Sequence, residues 1–146
     1  MSISYWMIEG IGINMDKVEP FLNKEKLAHM LLEQLPDDEK IITIVENKVY
    51  SQLDVRDFLY GNPFGNLAEL LIHCDKTDSI TYGDNGEGGV YFYYPPSMPW
   101  RRTEAEPDSV EEVHRRIIMA VKVVTDLSDE EIEAMIDDDL HVVGVG

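Results

Sequence analysis

Cysteine is almost missing. Cys74 is the only one among 146 residues, so no internal disulfide can form and a reducing compartment is expected. Cations are scarce too: 12 Lys and Arg stand against 29 Asp and Glu, for a formal net charge of −17. That sign repels nucleic-acid phosphate and anionic membrane surfaces, so direct binding to either is not expected. It attracts basic surfaces, among them the nucleic-acid channels of other proteins. Acidity that serves only solubility is the plain alternative. No apolar run approaches the ~20 residues that a membrane helix needs. The first apolar run lacks preceding basic residues and is broken by Glu9, so a signal peptide is not expected. The chain reads as soluble and cytoplasmic.

The signatures of common chemistry are also missing. His29, His73, His114 and His141 stand at no metal-ligand spacing, and Cys74 is alone. Asp84-Asn85-Gly86-Glu87 looks like part of a calcium loop, but it lacks the alternating oxygens and terminal Glu of a full one, and Asp-Asn-Gly is ordinary turn chemistry. Ser97 has no nucleophile-elbow context, and Gly-Glu-Gly-Gly lacks the Lys-Ser/Thr ending of a phosphate loop. Ile11-Gly12 follows a strand without the glycine pattern of a dinucleotide fold. No catalytic residue, metal or cofactor is therefore assigned. Carboxylates are too numerous for any pair to be singled out as acid and base.

What remains describes a folded domain. Hydrophobic residues make up 44%, with two Trp and seven Tyr, which suits a single α+β domain over residues 1–146. Four of the tyrosines (Tyr82, Tyr91, Tyr93, Tyr94) fall within 79–100. There, β-rich runs at 79–82 and 90–94 flank the glycine-rich 83–89, the composition of a hairpin central to a small antiparallel sheet. Alternation predicts Val90, Phe92 and Tyr94 on one face and Tyr91 and Tyr93 on the other, with the face that meets the helices packed on Val113, Ile117 and Val121. Strands are also expected at 3–8, continuing raggedly through the glycines at 10 and 12, and at 140–146 beside the first.

The strings Tyr-Gly-Asp-Asn-Gly-Glu-Gly-Gly (82–89) and Tyr-Tyr-Pro-Pro-Ser-Met-Pro-Trp (93–100) carry a resemblance. With Ile8-Glu9-Gly10-Ile11-Gly12-Ile13 and residues 127–139, the chain resembles uncharacterised small proteins carried by bacteriophages, prophages and mobile elements of Gram-positive bacteria. The resemblance spans nearly the whole chain. It implies a mobile-element context and transfers no activity to any residue.

Helices are expected on one face of the sheet. Asn23 is placed to cap 24–35, with Leu27, Met30, Leu31 and Leu35 inward. Pro36 suits the first position of a helix through 37–47, although the β-branched run 41–45 suits a strand as well. Short helices are expected at 54–60 and at 67–74, where Cys74 falls on the apolar stripe as a small hydrophobe. Ser109 with Glu112, and Ser128 with Glu131, have the spacing of capping boxes. The first opens a long helix with the stripe Val110, Val113, Ile117, Val121 and Val124. Pro96-Ser97-Met98-Pro99-Trp100-Arg101 fits a polyproline ligand, or a stiff loop that buries Trp100 against the domain.

The acidic run is the most informative constellation. Residues 126–139 hold eight acids and no base. Acids at 129–131 suit the positive end of a helix dipole; at the opposite end, each of Asp137, Asp138 and Asp139 would cost roughly 0.3–1 kcal/mol. A solvated turn after Ile136 is the other reading. Asp137, Asp138, Asp139, Glu133 and Glu130 are accordingly the candidate partner-binding residues, with Asp84, Glu87 and Trp100 as a candidate loop site. The partner implied is a protein with a basic surface. The expected function is a non-catalytic acidic binding module, in its sharpest form a nucleic-acid mimic that inhibits a host nuclease or defence complex. A small enzyme using carboxylates in an unrecognised cleft and a structural or assembly factor are the alternatives.

Overall fold

The structure, a computed structural model, describes residues 5–54, 67–75, 80–86, 89–95 and 109–145, with side chains described at 68–72 in the second of these helical stretches. Four strands, β1 (Tyr5–Asn14), β2 (Thr81–Asp84), β3 (Val90–Tyr94) and β4 (Asp137–Val145), form an antiparallel sheet in the order β2-β3-β1-β4. The helices are α1 (Met15–Val18), α2 (Lys24–Gln34), α3 (Glu39–Asn47), α4 (Leu67–Asp75), α5 (Val110–Lys122) and α6 (Asp129–Glu133). This is the expected α+β fold. The hairpin contributes one interior strand, β3, and one edge, β2.

Alternation along β3 sends Val90 and Phe92 into the helical layer, where Phe92 is fully buried. The apolar stripe of α5 meets β1 and β3, and Val113, Ile117 and Val121 lose all contact with water beside Ile13 and Phe92. Each such side chain contributes about 1.5–3 kcal/mol by leaving solvent. Ala68, Leu70 and Leu71 of α4 and the inner faces of α2 and α3 complete this core. The one buried polar side chain among the described residues, Thr125, is satisfied: its hydroxyl donates to the Val121 carbonyl at 3.0 Å and accepts from the Leu127 amide at 3.4 Å.

The other face of the hairpin is covered by the chain's two ends. β1 pairs with β3 through Ile11–Asn14 and with β4 through most of its length, and the register slips between Gly10 and Gly12. Gly10 has φ +125°, and a side chain there would strike the Tyr94 carbonyl, so the sharp bend demands glycine. Past the bend, the β1–β4 ribbon crosses the hairpin. Ile8 is fully buried and Leu140 is 7% exposed, and a methyl group on Gly83 would sit 3.5 Å from Ile8 Cδ1 and 3.6 Å from the Tyr93 ring. The crossing is pinned at its far end. Trp6 Nε1 donates to the Asp84 carbonyl at 2.6 Å, and the Val145 amide to the Asn85 carbonyl at 3.2 Å.

Several expectations shift. The second strand lies at Thr81–Asp84 instead of 79–82, because the turn begins later: Asp84 Oδ1 accepts from the Gly86 amide and Asn85 Oδ1 from the Gly89 amide. The run 41–45 is helical, and Asp38, not Pro36, organises its start by accepting from the Ile41 amide. Val110 is 52% exposed, outside the buried stripe. Ser109 caps α5, but Glu112 does not return the bond, since its carboxylate is taken by Arg115 and Arg116. Of the helix expected over 54–60, Asp54 is exposed outside any helix, while 55–60, the side chain of Cys74 and the segment 96–101 with Trp100 lie outside the described residues.

Candidate binding surface

The acidic run folds into two elements, not one. Ser128 opens α6 with a complete capping box, its hydroxyl accepting from the Glu131 amide at 3.2 Å and the Glu131 carboxylate from the Ser128 amide at 3.1 Å. Leu127 and Ile132 bury themselves on either side of this start, 7% and 0% exposed. The helix ends at Glu133, and the chain enters β4 at Asp137. Asp137, Asp138 and Asp139 thus stand at the start of an edge strand. Neither the helix-end position nor the solvated turn is correct, because pairing of Asp137 with Gly12 and of Leu140 with Gly10 draws this segment into the sheet. The dipole penalty expected there does not apply.

All seven acids of 129–139 are exposed, and they differ in what they do. Asp129 pairs with Lys122 at 2.7 Å. Asp137 Oδ1 accepts from the Asp139 amide at 2.9 Å, a local turn-type bond. Glu133 and Asp138 converge on His114 of α5, at 3.5 Å from Nδ1 and 2.5 Å from Nε2. The His114 side chain is only 15% exposed. These two contacts tie α5, α6 and β4 together. His114 has no signal in the sequence, since its partners lie 19 and 24 positions away. Glu130 and Asp139 have no side-chain partner among the described residues.

Beside this tie, α5 and α6 leave a groove of about 370 Å³ lined by Val110, Ile118 and Met119 and by Glu111, Arg115 and Lys122. Its cations are engaged. Arg115 grips Glu112 with two hydrogen bonds, 2.8 and 2.5 Å, and Arg116 adds a third at 3.2 Å. The Arg115 hydrogen bonds hold the Glu112 carboxyl down at about 2, with both guanidinium charges helping against partial desolvation. Hydrogen bonds from Asn23 and Lys26 hold Asp126 below the usual carboxylate range.

Of the candidate loop site, Asp84 serves the hairpin turn through its side chain and holds Trp6 through its carbonyl; Glu87 and Trp100 lie outside the described residues. The described residues contain no group of three or more His, Cys, Asp or Glu placed to hold a metal ion. None of their helices is long and apolar enough to cross a membrane. No family model, curated protein or solved structure matches the chain.

Proposed function

We propose that this protein is a non-catalytic binding module of bacteriophage or mobile-element origin that presents its acidic α6–β4 edge to a protein with a basic surface. One observation carries the reading: seven exposed carboxylates follow one another along α6 and the start of β4, and among the described residues only the side chains of Lys122 and His114 pair with them. Carboxylates so concentrated steer a cationic partner over roughly the ~8 Å Debye length of physiological salt.

The sharper version of this reading is a stand-in for nucleic acid in the channel of a host nuclease or defence complex, because clustered carboxylates offer a cationic channel the same sign of charge as phosphate.

The test uses Glu130→Gln, Asp137→Asn and Asp139→Asn together, which leaves the His114 tie intact and keeps an acceptor oxygen at 137. Association with the partner recovered from the host is measured at two salt concentrations. The reading expects slower association for the triple variant and a steep loss of affinity with salt. Equal rates for parent and variant, or salt-independent affinity, would refute it.

A further inference from the structure

Among the described residues, nothing covers the outer face of the ribbon that folds over the hairpin. Register sets Tyr5 opposite Val145 and Met7 opposite Val143, so these four side chains share one side of the two strands. They are 68%, 41%, 45% and 48% exposed. The next pair, Glu9 and His141, closes the patch with a 3.2 Å contact, and the next exposed position on β4 is Asp139. The inner side of the same strands is buried through Ile8, Leu140 and Gly144 and is tied to the hairpin through Trp6 and Val145. The platform is therefore rigid before anything docks on it.

From this we infer that the outer face of the β1–β4 ribbon docks an apolar segment bearing lysine or arginine, as part of the basic partner proposed above, and the inference rests on that reading. Four adjacent exposed apolar side chains on an ordered sheet mark an interaction surface, and their composition of Tyr, Met and two Val suits a contact made by packing. Charge complementarity selects the occupant. The patch runs into Glu9 and Asp139 at one end, on a chain of net charge −17. A second copy would bring the same sign to the same place, and an anionic bilayer would be repelled. A segment with an apolar face and cations at one end satisfies both halves of the surface.

The probe is a helical peptide with leucine on one face and lysine on the other, titrated into the isotope-labelled full chain and followed by amide chemical shifts. A peptide of lysine and serine with equal charge serves as control. The expected result is shift changes at 5–9 and 141–145, and roughly tenfold or greater loss of affinity in Met7→Ser with Val143→Ser, since two apolar contacts of this size are worth more than the 1.4 kcal/mol that a decade requires. Both sites are already half in water, so the variant should melt like the parent. Equal binding of the lysine–serine peptide, or shifts confined to 129–139, overturns this face and leaves the acidic-edge reading standing. No binding of either peptide removes both. Self-association through 5–9 and 141–145, or binding to phosphatidylserine vesicles in preference to the peptide, overturns the choice of occupant.

Discussion

Gly144 is the sharpest probe of how the ribbon crosses the hairpin. The indole of Trp6 lies against it, so closely that an added methyl group would collide with Nε1 and its neighbouring ring carbons. Trp6 is 36% exposed and can swing outward, but only by giving up its bond to the Asp84 carbonyl. Gly144→Ala must therefore either strain the ring or release it. The lost hydrogen bond is worth about 0.5–1.5 kcal/mol and overpacking about 1–3 kcal/mol, so a net cost of about 1–3 kcal/mol is expected. The φ of Gly144 lies outside the left-handed region, so alanine meets no backbone penalty there. In a Trp6→Ala background the sign should reverse. Without the indole, Gly144→Ala only reduces the freedom of the unfolded chain, a gain of roughly 0.5–1 kcal/mol for a strand interior. Urea denaturation of the four proteins of this double-mutant cycle, followed by far-UV circular dichroism, measures the coupling directly. An equal cost for Gly144→Ala with and without Trp6 would show that the indole does not lie on Gly144.

Two further tests concern polar contacts. Asn23 caps α2 by accepting from the Lys26 amide and donates to Asp126 Oδ2 at 2.7 Å, so Asn23→Ala should cost about 1 kcal/mol in thermal unfolding, and Asn23→Asp, which keeps the cap but sets two carboxylates together, should fall below Asn23→Ser; an Asp variant as stable as the parent would remove the Asp126 contact from the account. For Glu112, the folded-state carboxyl titrates at about 2 against an ordinary 4.5, so its contribution is complete above 4.5 and lost as pH falls toward 2. The urea midpoint of Glu112→Gln should therefore converge on that of the parent as pH drops through this window; a constant difference from pH 5 to 2 would count against the Arg115 grip.

Features whose cause is local were legible in the sequence. Asn23, Ser109 and Ser128 each accept the backbone bond that their spacing predicted, and Val113, Ile117 and Val121 fill the core from a single helical stripe. The glycines at 10 and 12 did mark a break in register. What escaped depends on partners far away in sequence. Asp137–Asp139 have little intrinsic preference for a strand, and only the β1 backbone makes them one. The fold-over of the ribbon rests on Trp6 meeting Asp84 across 78 positions, with nothing in either neighbourhood to announce it. Pro36 was the expected helix start, but Asp38, whose side chain accepts the Ile41 amide, organises it instead. For the acidic run, the abundance of carboxylates was plain, but their division into structural and outward-facing groups required His114 in place.

That division bears on what the charge is for. Arg115 and Arg116 are committed to Glu112, and Lys26 to Asp126. Along 129–139, among the described residues, only Lys122 and His114 pair with seven carboxylates. Solubility is served by net charge with both signs interspersed and does not call for a one-sided cluster. Encounter with a basic partner depends on it directly, because potentials from neighbouring charges add within a Debye length. The apolar face formed by Tyr5, Met7, Val143 and Val145 continues from that edge along the same strand, β4. In the function proposed above, long-range attraction and short-range packing are adjacent on one surface: the acids would govern how often a cationic partner arrives, and the four apolar side chains how long it stays.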